Sequence, residues 1–474
     1  KKSSPTVFIS SKRKCLAFIS SQSFALRTRN RNSNFIVFTS SSPRMSTVTK
    51  RCVVNFLKPA FRQQGVAYVR QLSASLRAQD QMLLVKEQPG QEEPMIFPGI
   101  WLRDNCQCEQ CFHQDSLSRK PLRWNNFDTK VKVRHITVDE SLQSVNISWS
   151  DNHHSSFSLN WLRERNFSQK TSEQFLNEWY RPQSKLWGKD DFAKILKKFD
   201  YWEVMRSDAT LLEWLDTLAV YGIAMLKNSP LDIGVVKSLA NRIGFIRRTT
   251  YGEEFSVRSR PGAKNYSYLS KPLPLHTDLP YYEYKPSVTL LHTLEQSRSK
   301  GGWNTLVDAF NIADQLRAQH PEHFKNLSQT LVNWCDIGAD ADKFFHNMWR
   351  APVINLDATG KYVRINHSVP QRDSHFSIDV DKVVPWYEAN ATFVRMAHEQ
   401  SVSFKTVPGD VLSFNNLRML HGRTGYDDSE RNVRHIVGGF VDWDIVYSRM
   451  RVLKRAAVSS EETESAEQHM AVQA

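Results

Sequence analysis

The residues that most restrict what this chain can fold into are His276 and Asp278, in Leu275-His276-Thr277-Asp278, together with His421, far downstream in Leu420-His421-Gly422-Arg423. Side chains two apart on an extended segment leave the same face, so one imidazole nitrogen and one carboxylate oxygen can meet a single ion. A third ligand must come from elsewhere, and His421 is the best candidate. Two histidines and one carboxylate around an ion with open positions suit non-haem Fe(II). The fold must then set two distant extended segments side by side.

The spacing by itself is a weak signal. His113-Gln114-Asp115 repeats it among Cys, Gln, Ser, Arg and Lys, which reads as a loop. His276 is set apart by its surroundings. Tyr266, Tyr268, Leu269, Leu273 and Leu275 precede it, and Pro280, Tyr281, Tyr282 and Val288-Thr289-Leu290-Leu291 follow. That pattern is strand, loop and strand beside a core.

Charge excludes one class of function. The formal net charge of +14 suggests nucleic acid or an anionic membrane, but residues 1–79 hold fifteen Lys and Arg and no acid. The remainder balances 48 bases against 49 acids, so the folded body has no polyanion-binding surplus. No apolar run reaches the ~20 residues of a membrane helix. The Arg- and Ser-rich, acid-free stretch resembles a mitochondrial transit segment, with Met45 as the expected start and the matrix as the expected compartment, the cytoplasm being the alternative. Residues 1–79 are set aside as leader.

Residues 80–165 read as a small β-rich domain. Met82–Val85, Met95–Trp101, His135–Val138 and Val145–Trp149 are candidate strands between Gly, Pro, Asp and Asn. Among them lie Cys106, Cys108 and Cys111, three thiols within six residues and half of the six cysteines. With no secretory signal evident, such a claw suits Zn²⁺ better than disulfides. Asp151-Asn152-His153-His154 offers a fourth ligand, and four protein ligands would make the site structural. Cys335, alone, reads as a buried structural thiol.

Residues 166–205 read as a connection with helical pieces. Residues 206–455 form the larger domain, and 456–474 a disordered acidic tail. Ala209–Val220 carries a helical stripe ended by Gly222, Ile223–Leu226 is a strand, and Leu231–Ile243 a second helix. From 245 onward short strands dominate, interrupted by helices at Ala309–Gln319, Pro321–Leu327 and Val384–Glu399. The expectation is a mainly β double-sheet jelly roll. Turn residues after Gly422 suggest a hairpin centred between Asp427 and Asp428, which would set His421 opposite Arg434 on one face. A guanidinium there suits a planar carboxylate.

Trp101-Leu102-Arg103-Asp104-Asn105-Cys106, the cysteine cluster, Tyr251-Gly252, Leu275-His276-Thr277-Asp278, Leu290-Leu291-His292, Gly301-Gly302, Leu420-His421-Gly422-Arg423, Arg434-His435 and Asp442-Trp443-Asp444 together resemble the family that holds the γ-butyrobetaine and trimethyllysine dioxygenases. The likeness spans about residues 95–453, and the C-terminal segment leans to the first. It implies an Fe(II)- and 2-oxoglutarate-dependent hydroxylase on a double-stranded β-helix, with a zinc-binding N-terminal domain. Iron would be held by His276, Asp278 and His421, and zinc by Cys106, Cys108, Cys111 and His153. Arg434 would hold the distal carboxylate of 2-oxoglutarate, beside Leu291 and Asn304. O₂ would be the second co-substrate and ascorbate the reductant. The activity implied is hydroxylation of γ-butyrobetaine to L-carnitine by a homodimer, with trimethyllysine or another quaternary amine as the alternative substrate.

By the same resemblance, Tyr251, Phe255, Tyr268 and Phe440 would form an aromatic cage for a trimethylammonium group, and Asn265 would meet the substrate carboxylate. The chain departs from the family pattern at four places. Phe255 replaces a Trp, Phe440 a Tyr, Ser368 an Asn and Leu279 a Tyr. The departures leave the iron chemistry alone and bear on the substrate.

Overall fold

The computed structural model describes residues 72–473, apart from 89, 121–124, 126, 259–268, 341–342, 428 and 430–431, and the side chains of 340, 343 and 459–473. Asn265 and Tyr268 therefore lie outside the described residues. In the larger domain, alternating apolar residues build two facing antiparallel sheets. The strand order of the first is Glu254–Arg258, His435–Val441, Val288–Glu295, Val411–Asn415, Ile223–Lys227 and Lys198–Asp200, with only the last pair parallel. The second runs Leu273–His276, Met419–Arg423, Asn304–Asp308 and Val402–Phe404. The jelly roll expected from the sequence is present.

Period two decides which core each residue joins. Val288, Leu290, Val411, Ala224, Leu226, Val437 and Val441 leave the outer face of the six-stranded sheet. There they pack under the helices Asp208–Tyr221, Val235–Ile243 and the first turns of Trp443–Gln473. Ile223, Met225, Leu412 and Phe414 leave the inner face and meet Leu306 and Met419 of the second sheet. The first helix is capped by Ser207, whose hydroxyl accepts from Thr210 N–H, and ends at Gly222 with φ +75°. The left-handed turn at Gly222 is what favours glycine there.

A buried ion pair joins the sheets to the helices. Arg418 is fully buried and donates two hydrogen bonds to Asp308, at 2.9 and 2.7 Å, and another to Val220 O. Asp308 also caps the Ala309–Gln319 helix and accepts from Trp187 N–H. Removing one partner strands a charge in the core. Asp308→Ala is expected to cost about 3–5 kcal/mol, read as a lowered urea midpoint at unchanged m-value.

The structure departs from the sequence reading in several places. Ser73–Arg77 is a strand paired with Met82–Lys86, so the small domain begins inside the stretch set aside as leader. Alternation of half-buried and exposed residues over Ser73–Arg77 was masked by the basic composition around it. The candidate strand through Trp101 stops at Pro98, which caps the helix Gly99–Asp104; proline lacks the N–H a ladder needs. The helix expected from Leu231 starts at Val235, because Gly234 turns at φ +98°. The connection of residues 166–205 supplies the edge strand Lys198–Asp200 and the buried Trp187. The residues read as a disordered tail continue the helix Trp443–Gln473. Cys335 is half-buried rather than buried.

Candidate metal centre and substrate pocket

His276 and His421 are directly cross-strand, on Leu273–His276 and Met419–Arg423. Opposed residues share a face, and the two rings lie 4.2 Å apart centroid to centroid. Asp278 follows two residues after His276. One of its oxygens, Oδ1, lies 3.5 Å from Nε2 of each histidine. Among the described residues the ligand atoms of these three gather within 4.8 Å of one another, and so do those of the four zinc candidates. The decoy fails: His113 is exposed and bonds Ser116.

Local bonds orient the three. His276 Nδ1 is 2.9 Å from Pro274 O; donating there leaves Nε2 as the lone-pair face toward Asp278. Burial pulls His421 down to about 3, so its imidazole is neutral at physiological pH. Burial opposes charge on Asp278, but the facing imidazoles and the Thr289 hydroxyl keep its carboxyl below the usual range, at about 2. A neutral imidazole at His421 and a carboxylate at Asp278 are protonation states that divalent iron needs. By donor chemistry and geometry, the residues fit the metal.

The sequence reading overlooked Asn416, and no local pattern points to it. Fully buried, it accepts from Asp278 N–H at 2.7 Å and donates to Asp278 O at 3.0 Å and Pro286 O at 2.8 Å. The clasp fixes the backbone of Asp278 on both sides. The next residue, Leu279, has φ +52°, a left-handed conformation that a branched residue adopts at a cost. Asn416→Ala is expected to weaken Fe(II) retention by roughly 10–100-fold, the size of effect seen when outer partners of a ligand are lost. Titration of the apoprotein with Fe(II) would measure it; unchanged retention would show that Asp278 needs no clasp.

Arg434 is not set opposite His421 by the expected hairpin. Met419–Arg423 and His435–Val441 lie in different sheets, so His421 opposes His276 and Leu306, never Arg434. The intervening residues cross from one sheet to the other, and turn composition cannot distinguish that crossing from a hairpin. Arg434 is 5% exposed, its Nε has no hydrogen-bond acceptor, and its guanidinium lies 5.9 Å over the Tyr426 ring. Burial and the neighbouring Arg423 lower its pKa to about 10. A buried cation with no carboxylate partner among the described residues could receive one from a ligand. Arg423, two residues beyond His421 and opposite Asn304, also lies over Tyr426, at 5.0 Å; the sequence reading gave it no role. Asn304 donates to Thr406.

The inner face of the six-stranded sheet forms an apolar wall. Phe440 opposes Thr289, whose hydroxyl bonds Asp278, and Leu291 opposes Gly438. Phe255 also opposes Gly438, and a Cβ at Gly438 would collide with the Phe255 ring. The missing side chain is what lets Phe255 lie against the sheet, 5.3 Å from Phe440. Tyr251 packs edge-on to Phe345, 5.6 Å away, and donates from its hydroxyl to Asp336 at 2.8 Å. Of the cage positions, Tyr251, Phe255 and Phe440 share one cluster with Leu275 and Leu420, the neighbours of His276 and His421. Ser368 is buried, its hydroxyl donated to Gln371.

In the small domain His153 Nε2 is 3.2, 3.5 and 3.6 Å from the sulfurs of Cys106, Cys108 and Cys111. Arg103 bonds Asp151, which accepts from His153 N–H and so steadies the loop that carries the imidazole. Burial pushes the Cys106 thiol up to about 12, a cost that a coordinated cation would remove.

Two family models match the chain. Residues 180–439 match taurine catabolism dioxygenase TauD, TfdA family, and residues 74–163 match gamma-butyrobetaine hydroxylase-like, N-terminal. Human gamma-butyrobetaine dioxygenase is 36% identical over 77% of this chain and 92% of its own. The Pseudomonas gamma-butyrobetaine dioxygenase is 33% identical over 76% and 91%. Human mitochondrial trimethyllysine dioxygenase is 27% identical over 76% and 83%. The chain therefore belongs to the γ-butyrobetaine dioxygenase family and is an iron- and 2-oxoglutarate-dependent dioxygenase.

Proposed function

We propose that this enzyme hydroxylates γ-butyrobetaine to L-carnitine. One oxygen atom of O₂ goes to the product and the other to succinate, with release of CO₂. The observation that carries the reading is the aromatic wall of Tyr251, Phe255 and Phe440 in the same cluster as the neighbours of His276 and His421. A trimethylammonium group has no N–H to donate, so ring faces are its favourable neutral partners.

In this reading His276, Asp278 and His421 hold the iron. Bound iron with 2-oxoglutarate supplies the O₂-activating chemistry. The chain does the positioning. Arg434 pairs with the distal carboxylate of 2-oxoglutarate, and Leu291 and Asn304 line that side. Tyr251, Phe255, Phe440 and Tyr268 receive the cationic head of the substrate, and Asn265 its carboxylate. Together they fix which C–H bond faces the metal, and the apolar wall keeps water away from it.

Cys106, Cys108, Cys111 and His153 hold a structural zinc, since four protein ligands leave no open position. Cys108→Ser is expected to release about one equivalent of zinc and to lower the thermal midpoint, leaving iron content unchanged. Full stability with no zinc in the wild type would remove the assignment. Ascorbate as reductant, a homodimer and a mitochondrial matrix location, with the cytoplasm as the alternative, belong to the same proposal, the last supported by the acid-free basic stretch of residues 1–79.

Phe at 255 and 440, Ser368 and Leu279 favour a second reading, in which the amine is trimethyllysine or another betaine. Parallel 2-oxoglutarate turnover assays decide between them. A higher kcat/KM for γ-butyrobetaine than for trimethyllysine is expected; the reverse order would replace the proposed substrate.

A further inference from the structure

The hairpin Val332–Asp340/Lys343–Ala351 has two unlike faces. Cross-strand pairing puts Cys335, Ile337, Phe344, His346 and Met348 on one and Trp334, Asp336, Phe345, Asn347 and Trp349 on the other. Ile337, Phe344 and Met348 are exposed, whereas Phe345 and Asp336 both touch Tyr251. The hairpin thus carries a carboxylate to the rim of the aromatic wall. Asp336 has no lysine or arginine partner among the described residues, and its bond is from the Tyr251 hydroxyl, itself 3.4 Å from the hydroxyl of Tyr281. Tyr281 is almost wholly buried, and burial with the nearby Tyr251 and Asp336 raises its phenol far above the ordinary range.

We propose that Asp336 is the charge selector of the pocket, a positioning residue that sets its preference for a permanent cation over a neutral group of the same shape. The inference rests on the reading that the pocket takes a quaternary ammonium. A methylated ammonium cannot form a hydrogen-bonded ion pair, so the carboxylate acts in two indirect ways. Its field in a partly desolvated pocket attracts the cation. By accepting from Tyr251 it also draws electron density toward the phenol ring, deepening the negative potential of the face the cation meets. The departures in the cage give this weight. Phe at 255 and 440 offers weaker cation–π partners than Trp and Tyr, and an anion behind Tyr251 compensates for them.

The test compares γ-butyrobetaine with 5,5-dimethylhexanoate, in which carbon replaces the quaternary nitrogen, in the iron-loaded enzyme with 2-oxoglutarate. The wild type is expected to favour the cation, and Asp336→Asn to reduce the kcat/KM ratio at least tenfold. The loss should lie in KM for the cation, with the isostere's KM and the 2-oxoglutarate KM unmoved. Asp336→Glu should restore most of the ratio. An unaltered ratio in a folded Asp336→Asn enzyme, or equal losses for both compounds, overturns the proposal and leaves the cage reading intact. Should Asp336→Asn not fold, Tyr251→Phe decides: a reduced ratio supports the relay and an unchanged one overturns it. A wild type that prefers neither compound overturns the cage reading itself, and this inference with it.

Discussion

His276→Ala is expected to yield a folded protein that neither retains iron nor forms succinate. The imidazole is half of the cross-strand pair that faces Asp278, and no other described histidine or acid gathers at that point. Losing an outer partner of a ligand already costs roughly 10–100-fold in metal affinity, so losing a ligand itself should exceed that. The fold should survive, because the ring makes one backbone bond, to Pro274 O, and sits among neighbours that remain packed. Iron content by elemental analysis and succinate yield per enzyme would measure the first effect, circular dichroism the second. Undiminished iron with normal turnover would dissolve the proposed centre.

Arg434→Met should act oppositely on stability and on co-substrate binding. In the apoprotein the guanidinium is a buried cation with an unpaired Nε, crowded by Arg423. Replacing such a charge by an apolar side chain of similar length is often neutral or stabilising, by up to about 4 kcal/mol, so the apo thermal midpoint should stay or rise. Truncating one partner of a buried charge pair costs about 2–5 kcal/mol of binding, so the KM for 2-oxoglutarate should climb roughly thirtyfold or more, with little change in the substrate's KM. Saturating 2-oxoglutarate should raise the wild-type midpoint by mass action and leave the variant's nearly unmoved. An unaltered 2-oxoglutarate dependence would mean that Arg434 meets some other anion.

Both predictions use residues that stand out in the sequence, yet Arg434 is placed by a different geometry from the one its local pattern suggests. The turn-rich stretch after Gly422 looked like a hairpin, and His421 and Arg434 looked like cross-strand partners. In the structure the strands on either side of that stretch belong to facing sheets. His421 lies on a strand of one sheet, and Arg434 directly precedes a strand of the other. Pairing partners are non-local, and a sandwich presents the same apolar alternation on both of its inner faces. The stretch of residues 424–434 is therefore compatible with turning back or crossing over.

What the sequence by itself determined is whatever depends on neighbours a few residues apart. His276 and Asp278 share a side because an extended chain alternates, Cys106, Cys108 and Cys111 form a claw because they are close, and Val288 to Leu291 divides between outer and inner cores by period two. Only the tertiary structure decided which distant groups complete these fragments. Asn416 clasps Asp278, Gly438 leaves room for Phe255, Arg418 is neutralised by Asp308, and Asp336 arrives behind Tyr251 on a separate hairpin. Each of those pairs is joined across a sheet or between layers, where the energy of burying a polar group or fitting a ring depends on the partner's position in space, which periodicity along the chain does not encode.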